Sequence, residues 1–352
     1  MSRNRTVHIV LPNNIDDHEH PSGGNLYDRH LLRGLTAAGW SVQEHPIRGS
    51  WPAAVPAAHA ALARMLATLP DNALVMLDGL VASGVPEVLV PEAKRLRLVV
   101  LMHMPLAGAA AGDPGERDVL RAAAAVVTTS AWTRQRLLEL YQLPGKPVHV
   151  ATPGVDPAPP GTGSAGGDRL LCVAAVTRQK GYAVLAEALA QVADAPWSCL
   201  CVGSREREPE FVAELEEKLD GYGLAERVQL LGVRTGEKLA ARYAEADLLV
   251  LASFGETYGM VVTEALARGV PVLATEVGGV PEALGRAPDG GLPGLLVPPG
   301  EPDALARALR AWLADPALRD QLRARASARR GTLTDWSATA EAVSKALAAT
   351  AG

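Results

Sequence analysis

Cysteine is scarce in this chain, with three among 352 residues: Cys172, Cys199 and Cys201. All lie in apolar segments and match neither a disulfide framework nor a metal-ligand spacing, which points to small buried hydrophobes in a reducing compartment. Long apolar runs are missing too. No stretch holds the ~18 consecutive apolar residues of a membrane span. The apolar part of "MSRNRTVHIVLPNN" is too short for a signal-peptide core, so a cytoplasmic protein is expected. Positive charge is not in excess: 34 Lys and Arg against 39 Asp and Glu leave a net charge of −5, which argues against nucleic-acid binding, since that needs a basic face. The cluster "RARASARR" at 323–330 reads as the solvated side of a late helix. Neither a G-x-G-x-x-G directly after a strand nor a G-x-x-x-x-G-K-[ST] occurs, which weakens a dehydrogenase or P-loop reading.

What is present is alternation. Strand-like runs ("VHIVLP", "ALVMLDG", "LRLVVLMHM", "AAVVTTS", "PVHVATPG") are interleaved with helix-like runs ("NLYDRHLLRGLTAAG", "AWTRQRLLELY"), a pattern of parallel sheets covered by helices. After Asp156, "PAPPGTGSAGGD" has no apolar periodicity and reads as a linker at about 157–168. The alternation then restarts with "RLLCVAAV", "WSCLCVG", "RVQLLG", "DLLVLAS", "PVLAT" and "GLLVPPG". An α/β chain of two doubly wound domains follows, 1–160 and 169–335, with a terminal helix in 336–352 that packs on either. The boundary of two such domains is a natural small-molecule site.

Within "LLVLASFGETYGMVVTEALARGVPVLAT", 248–252 reads as a strand, 254–259 as a loop, 260–268 as a helix closed by Gly269, and 270–274 as the next strand. Glu256 therefore falls outside the carboxyl end of a parallel strand, where such sheets bind ligands. Glu264 sits inside the helix, and an exposed ion pair with Arg268 four residues on is the alternative. Gly23 and Gly24, opening a helix near Asn25, either hold an anion with their amides or make a tight turn. His103 ends an apolar strand and is either a satisfied core residue or a catalytic group at the strand's carboxyl end. The polar "DDHEH" at 16–20 reads as solvated, not as a metal site.

Taken in order, "SGGNLYDRHLLRGL", "VVLMHMPL", "VVTTSAWTRQRLL", "TPGVD", "TRQKGYAVLAEAL", "SFGETYGMVVTEALARGVPVLATEVGGVPEAL" and "GLLVPPGEPDALARAL" resemble the retaining glycosyltransferases of glycosyltransferase family 4. That resemblance spans almost the whole chain. It implies the GT-B fold, two Rossmann-like domains facing each other across a cleft. It also implies transfer of a hexose-type unit from a UDP- or GDP-sugar to a hydroxyl of a small-molecule or glycan acceptor. The acceptor would enter near 13–22 and 106–118. No cofactor and no metal are implied, the nucleotide-sugar being a co-substrate, and membrane association is not expected.

Carried over residue by residue, the resemblance gives Glu264 the ribose hydroxyls, and Glu256 with the amides of Thr257, Tyr258 and Gly259 the sugar and neighbouring phosphate. Lys180 takes the donor diphosphate, His103 hydrogen-bonds the transferred sugar, and Gly23 and Gly24 contribute amides. One departure stands out. Many members carry an arginine five residues before the lysine, and this chain has Ala175 there, which makes Arg178 the candidate substitute. Two other classes stay open: a GT-B epimerase or phosphorylase, and a catalytically silent nucleotide-sugar-binding protein.

Overall fold

The structure, a computed structural model, describes residues 5–17, 21–106 and 112–351. Two compact units emerge from the fold. The described residues up to Gly154 together with those from Thr334 onward form the first, and Val155–Leu333 form the second.

Six parallel strands build the first unit's sheet: β1 (Arg5–Pro12), β2 (Trp40–Ile47), β3 (Leu74–Asp78), β4 (Arg97–Met102), β5 (Ala125–Thr128) and β6 (Val148–Val150), in the order β2-β1-β3-β4-β5-β6. Its central strands are apolar almost without interruption because helices cover both faces. In β4, Leu98, Val99, Val100, Leu101 and Met102 are all buried, with Val99 and Leu101 in one core and Leu98, Val100 and Met102 in the other. That division is the period-two alternation of a strand serving two cores. Burying each such side chain is worth roughly 1.5–3 kcal/mol.

The last helix, Trp336–Ala351, belongs to this unit. Val343, Ala346 and Leu347 complete the core formed with the first helix, Gly23–Ala37. The two helices cross closely at Gly34, where an added Cβ would lie 2.5 Å from the Ala340 Cβ.

The second unit's sheet is also parallel, with β7 (Arg169–Val173), β8 (Ser198–Val202), β9 (Val228–Gly232), β10 (Leu248–Leu251), β11 (Val272–Thr275) and β12 (Gly294–Val297) in the order β12-β11-β10-β7-β8-β9. Both orders are doubly wound. Each has one place where successive connections leave in opposite directions, between β1 and β3 in the first sheet and between β7 and β10 in the second. Ligands of open α/β sheets bind at the carboxyl ends of such strand pairs.

Two segments behave differently from their sequence reading. The proline- and glycine-rich stretch after Asp156 is fastened to the second unit: Gly161 N donates to Arg268 O at 2.8 Å and Thr162 N to Ala244 O at 2.8 Å. Buried Asp247 accepts from Ser164 N, Ser164 Oγ and Arg169 N at 2.6, 2.6 and 3.0 Å. The basic cluster is in part a solvated face, with Ala324, Ser327, Ala328 and Arg330 exposed, but several of its arginines are also engaged by the fold. Arg323 bonds Asp247, Arg330 reaches the carbonyls of Ala267 and Ala158, and Arg329 reaches that of Leu284. Carbonyls left over at loop ends need donors, and guanidinium supplies several at once. No helix among the described residues is long and apolar enough to cross a membrane.

Candidate active site

In the second unit, the chain leaving β7 makes a single 3-10 turn, Arg178–Lys180. Gly181 follows at φ +68°, where a Cβ would lie 1.9 Å from Ala252 O, so only glycine lets this turn press against the end of β10. Phe254 N donates to Gln179 O at 2.9 Å and ties the two loops together. Lys180 Nζ consequently meets Glu256 Oε1 at 2.6 Å, and Ser253 Oγ donates to the same oxygen at 2.7 Å. Ser253 is itself buried and held by Thr275, whose hydroxyl donates to Ser253 O at 2.6 Å.

Behind this loop runs the backbone of Gly278 and Gly279. A Cβ on Gly278 would lie 1.7 Å from Glu256 O, and one on Gly279 would lie 2.3 Å from Thr257 O. Gly279 N donates to Glu256 O at 2.9 Å. Thr257 thus belongs to the segment braced by these glycines. The Tyr258 side chain is buried in the apolar core, its pKa pushed up to about 12 by burial and by the nearby Glu282 carboxylate. Gly259, at φ +93°, caps the helix Met260–Leu266.

Glu264, on that helix, is half-buried, and Tyr243 Oη donates to its Oε2 at 2.7 Å. Burial raises its pKa, opposed by the Tyr243 hydrogen bond and the Arg268 charge. Arg268 does not pair with the carboxylate at the surface. Its Nη1 donates to the backbone carbonyl of Glu264 at 2.8 Å, and its guanidinium lies 4.8 Å from the centre of the Tyr243 ring.

Arg178 is not brought to Lys180. Its Nη2 bonds both carboxylate oxygens of Glu214, at 2.7 and 2.6 Å, and the guanidinium lies over the Phe211 ring. With three residues per turn, positions two apart on a 3-10 helix project about 240° apart, so Arg178 and Lys180 cannot share a face.

In the first unit the corresponding place lies at the ends of β1, β3 and β4. His103 follows β4, and its Nε2 lies 2.8 Å from Asp28 Oδ1 and 3.5 Å from Asp78 Oδ2. Asp28 comes from the first helix and Asp78 from the end of β3, where it also accepts from Leu80 N at 2.6 Å. Both carboxylates are buried. Burial alone would disfavour the imidazolium, but the two acids outweigh it and push the His103 pKa up to about 9. Asp78 is itself pushed up to about 7 by burial and by Asp28.

Gly24 lies under the His103 ring, an added Cβ falling 3.5 Å from Cδ2, and the Tyr27 ring meets it edge-on at 5.1 Å. Gly23 opens the helix, whose cap Ser22 Oγ accepts from Asn25 N at 3.1 Å. The three donor atoms of Asp28, Asp78 and His103 lie within 4.8 Å of one another, and the hydrogen bond to Nε2 is the interaction the geometry shows. Of "DDHEH", Asp16 pairs with Arg29, whereas residues 18–20 lie outside the described residues. So do residues 107–111 of the second loop expected near an acceptor.

Both halves of the chain match family models. Residues 7–159 fit the model described as Glycosyltransferase Family 4, and residues 167–315 fit Glycosyl transferases group 1. The chain is a member of glycosyltransferase family 4.

Among curated relatives, the D-inositol 3-phosphate glycosyltransferase of Kineococcus radiotolerans is 35% identical over 254 residues, covering 65% of this chain and 58% of the relative. That of Jonesia denitrificans is 33% identical, covering 60% and 53%. The matched stretch thus spans little more than half of these relatives' own length. In solved structures the family fold recurs. Sucrose-phosphate synthase from Thermosynechococcus elongatus superposes with a TM-score of 0.77 at 22% identity, covering 97% of this chain and 98% of that one. Anabaena HepE in complex with UDP-glucose superposes with a TM-score of 0.75 at 19% identity, covering 97% and 99%. At such identities the likeness establishes the GT-B fold of this family 4 chain and nothing finer.

Four residues of these clusters escaped the sequence reading: Asp28, Asp78, Ser253 and Tyr243. Two left a trace. Asp28 lies four residues after Gly24, one turn on along the same helix face, and Asp78 puts a carboxylate at the end of the buried run "ALVMLD".

Proposed function

We propose that this protein is a retaining glycosyltransferase that moves a hexose-type unit from a UDP- or GDP-sugar to a hydroxyl acceptor. The reading is carried by one observation: a lysine and a glutamate held 2.6 Å apart at the β7/β10 switch point, with a second glutamate on the following helix. A cation there suits a departing diphosphate, and a carboxylate suits sugar or ribose hydroxyls through charge-assisted bonds.

In the proposed mechanism the acceptor hydroxyl attacks the anomeric carbon from the face that the phosphate leaves. The bond from the anomeric carbon to the phosphate oxygen breaks and the acceptor's C–O bond forms. The leaving phosphate oxygen takes the acceptor's proton, so configuration is retained without a side-chain nucleophile. Lys180 stabilises the negative charge that develops on the diphosphate. Positioning supplies the rest: Glu256, braced by Ser253 and the glycine backbone, orients the sugar, Glu264 grips the ribose, and His103 hydrogen-bonds the sugar. The curated relatives are D-inositol 3-phosphate glycosyltransferases, and the solved HepE complex holds UDP-glucose. A UDP-sugar is therefore the first donor to test.

Thermal-shift titration with UDP, GDP, ADP and their sugars tests the donor, since a ligand at 100 times its Kd adds about 2.7 kcal/mol of stability. Release of nucleoside diphosphate from the stabilising sugar then separates an enzyme from a silent binder. No stabilisation by any nucleotide would overturn the reading.

A further inference from the structure

His103 is presented by a buried acidic clamp that the family resemblance does not include. Its Nε2 faces Asp28 Oδ1 at 2.8 Å and Asp78 Oδ2 at 3.5 Å. Asp28 and Asp78 are 2% and 3% exposed, whereas the His103 side chain is 16% exposed, so the accessible part of the ring is not Nε2. Nδ1 makes no hydrogen bond among the described residues. The ring cannot turn to exchange its nitrogens without leaving both acids. The Gly24 backbone lies against one side of it, and the Tyr27 ring meets it edge-on.

One further atom completes the picture. Asp28 Oδ2 is buried and has no hydrogen-bond partner. A buried carboxylate oxygen without a donor is costly, by about 1–3 kcal/mol or more. The imidazole and the two carboxyls share one small cluster, their nearest ring nitrogen and oxygens lying within 4.8 Å of one another.

We propose that Asp28 is a positioning residue that clamps Nε2 of His103 and thereby fixes Nδ1–H as the atom offered to a hydroxyl of the transferred sugar. This rests on the glycosyltransferase reading for its substrate, but the clamp itself is independent of it. Without Asp28 the imidazole loses its nearer acid and keeps only Asp78, at 3.5 Å, so its pKa should fall. A neutral ring with its proton on Nε2 would present Nδ1 as an acceptor instead of a donor. Among the described residues, the charged and titratable groups facing the ring are Asp28 from the first helix and Asp78 from the end of β3, with Tyr27 beside it.

Two substitutions separate the roles. Asp28→Asn preserves shape but removes the charge. It should lower kcat about 10- to 100-fold while leaving KM for the donor within about twofold. It should also move the alkaline limb of the kcat profile to lower pH by about one or more. Asp78→Asn removes the more distant charge, 3.5 Å from Nε2, and should move the alkaline limb less than Asp28→Asn does.

A readout that needs no substrate is the 15N spectrum of histidine-labelled protein. In the parent His103 should stay doubly protonated at neutral pH, and in Asp28→Asn its titration should move to lower pH by about one or more, further than in Asp78→Asn. An unchanged His103 titration in folded Asp28→Asn would overturn the clamp, even were no donor sugar ever found. So would stoichiometric bound metal whose removal by chelator abolishes activity. Failure of every nucleotide sugar to turn over, with the histidine titration as stated, would instead overturn the glycosyltransferase reading alone.

Discussion

Glu256 Oε1 engages the ammonium of Lys180 at 2.6 Å, and Ser253 Oγ steadies the same carboxylate oxygen. A diphosphate binding to Lys180 must therefore compete with an internal anion, and the competition makes a directional prediction. Glu256→Gln should bind nucleoside diphosphate as tightly as the parent or several-fold tighter, while transfer falls by orders of magnitude. Lys180→Ala should weaken nucleoside diphosphate about 10- to 100-fold, a charge-assisted bond being worth roughly 1.5–3 kcal/mol, and leave the nucleoside nearly unaffected. Calorimetric titration of the three proteins with diphosphate and nucleoside checks both statements.

The Tyr243 hydroxyl donates to Glu264 and opposes the burial that raises its carboxyl pKa. In Tyr243→Phe that support is gone and the carboxyl pKa rises further. Donor affinity should then fall little at alkaline pH and several-fold at mildly acid pH. An equal loss at both ends of the range would mean that Tyr243 acts through packing and not through the charge of Glu264.

The His103 cluster should make stability depend on pH with a definite sign. A proton held more tightly in the folded chain stabilises the fold below the unfolded pKa, and that contribution is lost as pH rises through the folded one. For His103 the loss runs from 6.5 to about 9, and for Asp78 from 3.8 to about 7. Melting of the first unit should therefore drop by several degrees between about pH 6 and about pH 9. The upper part of that slope should flatten in His103→Gln.

Glycine at 278 is a steric requirement. At φ +54°, with Glu256 O 1.7 Å from a would-be Cβ, Gly278→Ala must displace the Glu256 backbone. It should cost about 2–4 kcal/mol and abolish donor binding. Gly290, at φ +80° with nothing within 4 Å, is the control: Gly290→Ala should cost only about 1–2 kcal/mol and leave binding intact.

Arg178 tests the departure at Ala175. Because its guanidinium is engaged by Glu214 and Phe211, Arg178→Ala should leave nucleoside diphosphate affinity within about twofold of the parent. A phosphate-selective loss would show that the Glu214 pair breaks to serve the ligand.

Apolar runs made most of both sheets legible in the sequence, because strands buried on two faces need little else. β2 was not. "WSVQEHPI" is an edge strand, half of it solvated, with Pro46 opposite Leu11 where only one side must supply hydrogen bonds, so neither run nor alternation marks it. At the site, Glu256, Glu264 and His103 stood out by their places at a strand's carboxyl end or on the following helix, and Lys180 only through the family resemblance. Their partners did not. Asp28 acts on His103 across 75 residues of sequence, a pairing that no local spacing encodes. Arg178 shows the reverse failure, since proximity to Lys180 in sequence says nothing about the direction in which a tight turn aims its side chains.

The return of the helix Trp336–Ala351 to the first unit has a consequence for biosynthesis. The ribosome makes residues 5–154 first, yet the layer that covers Leu31, Leu35 and Val99 is the last part of the described chain to emerge. The second unit, continuous from Val155 to Leu333, can finish folding while the first still exposes that apolar face. The usual order of amino-terminal domain first is thus inverted, and the nascent first unit keeps that apolar face uncovered until the helix Trp336–Ala351 has emerged.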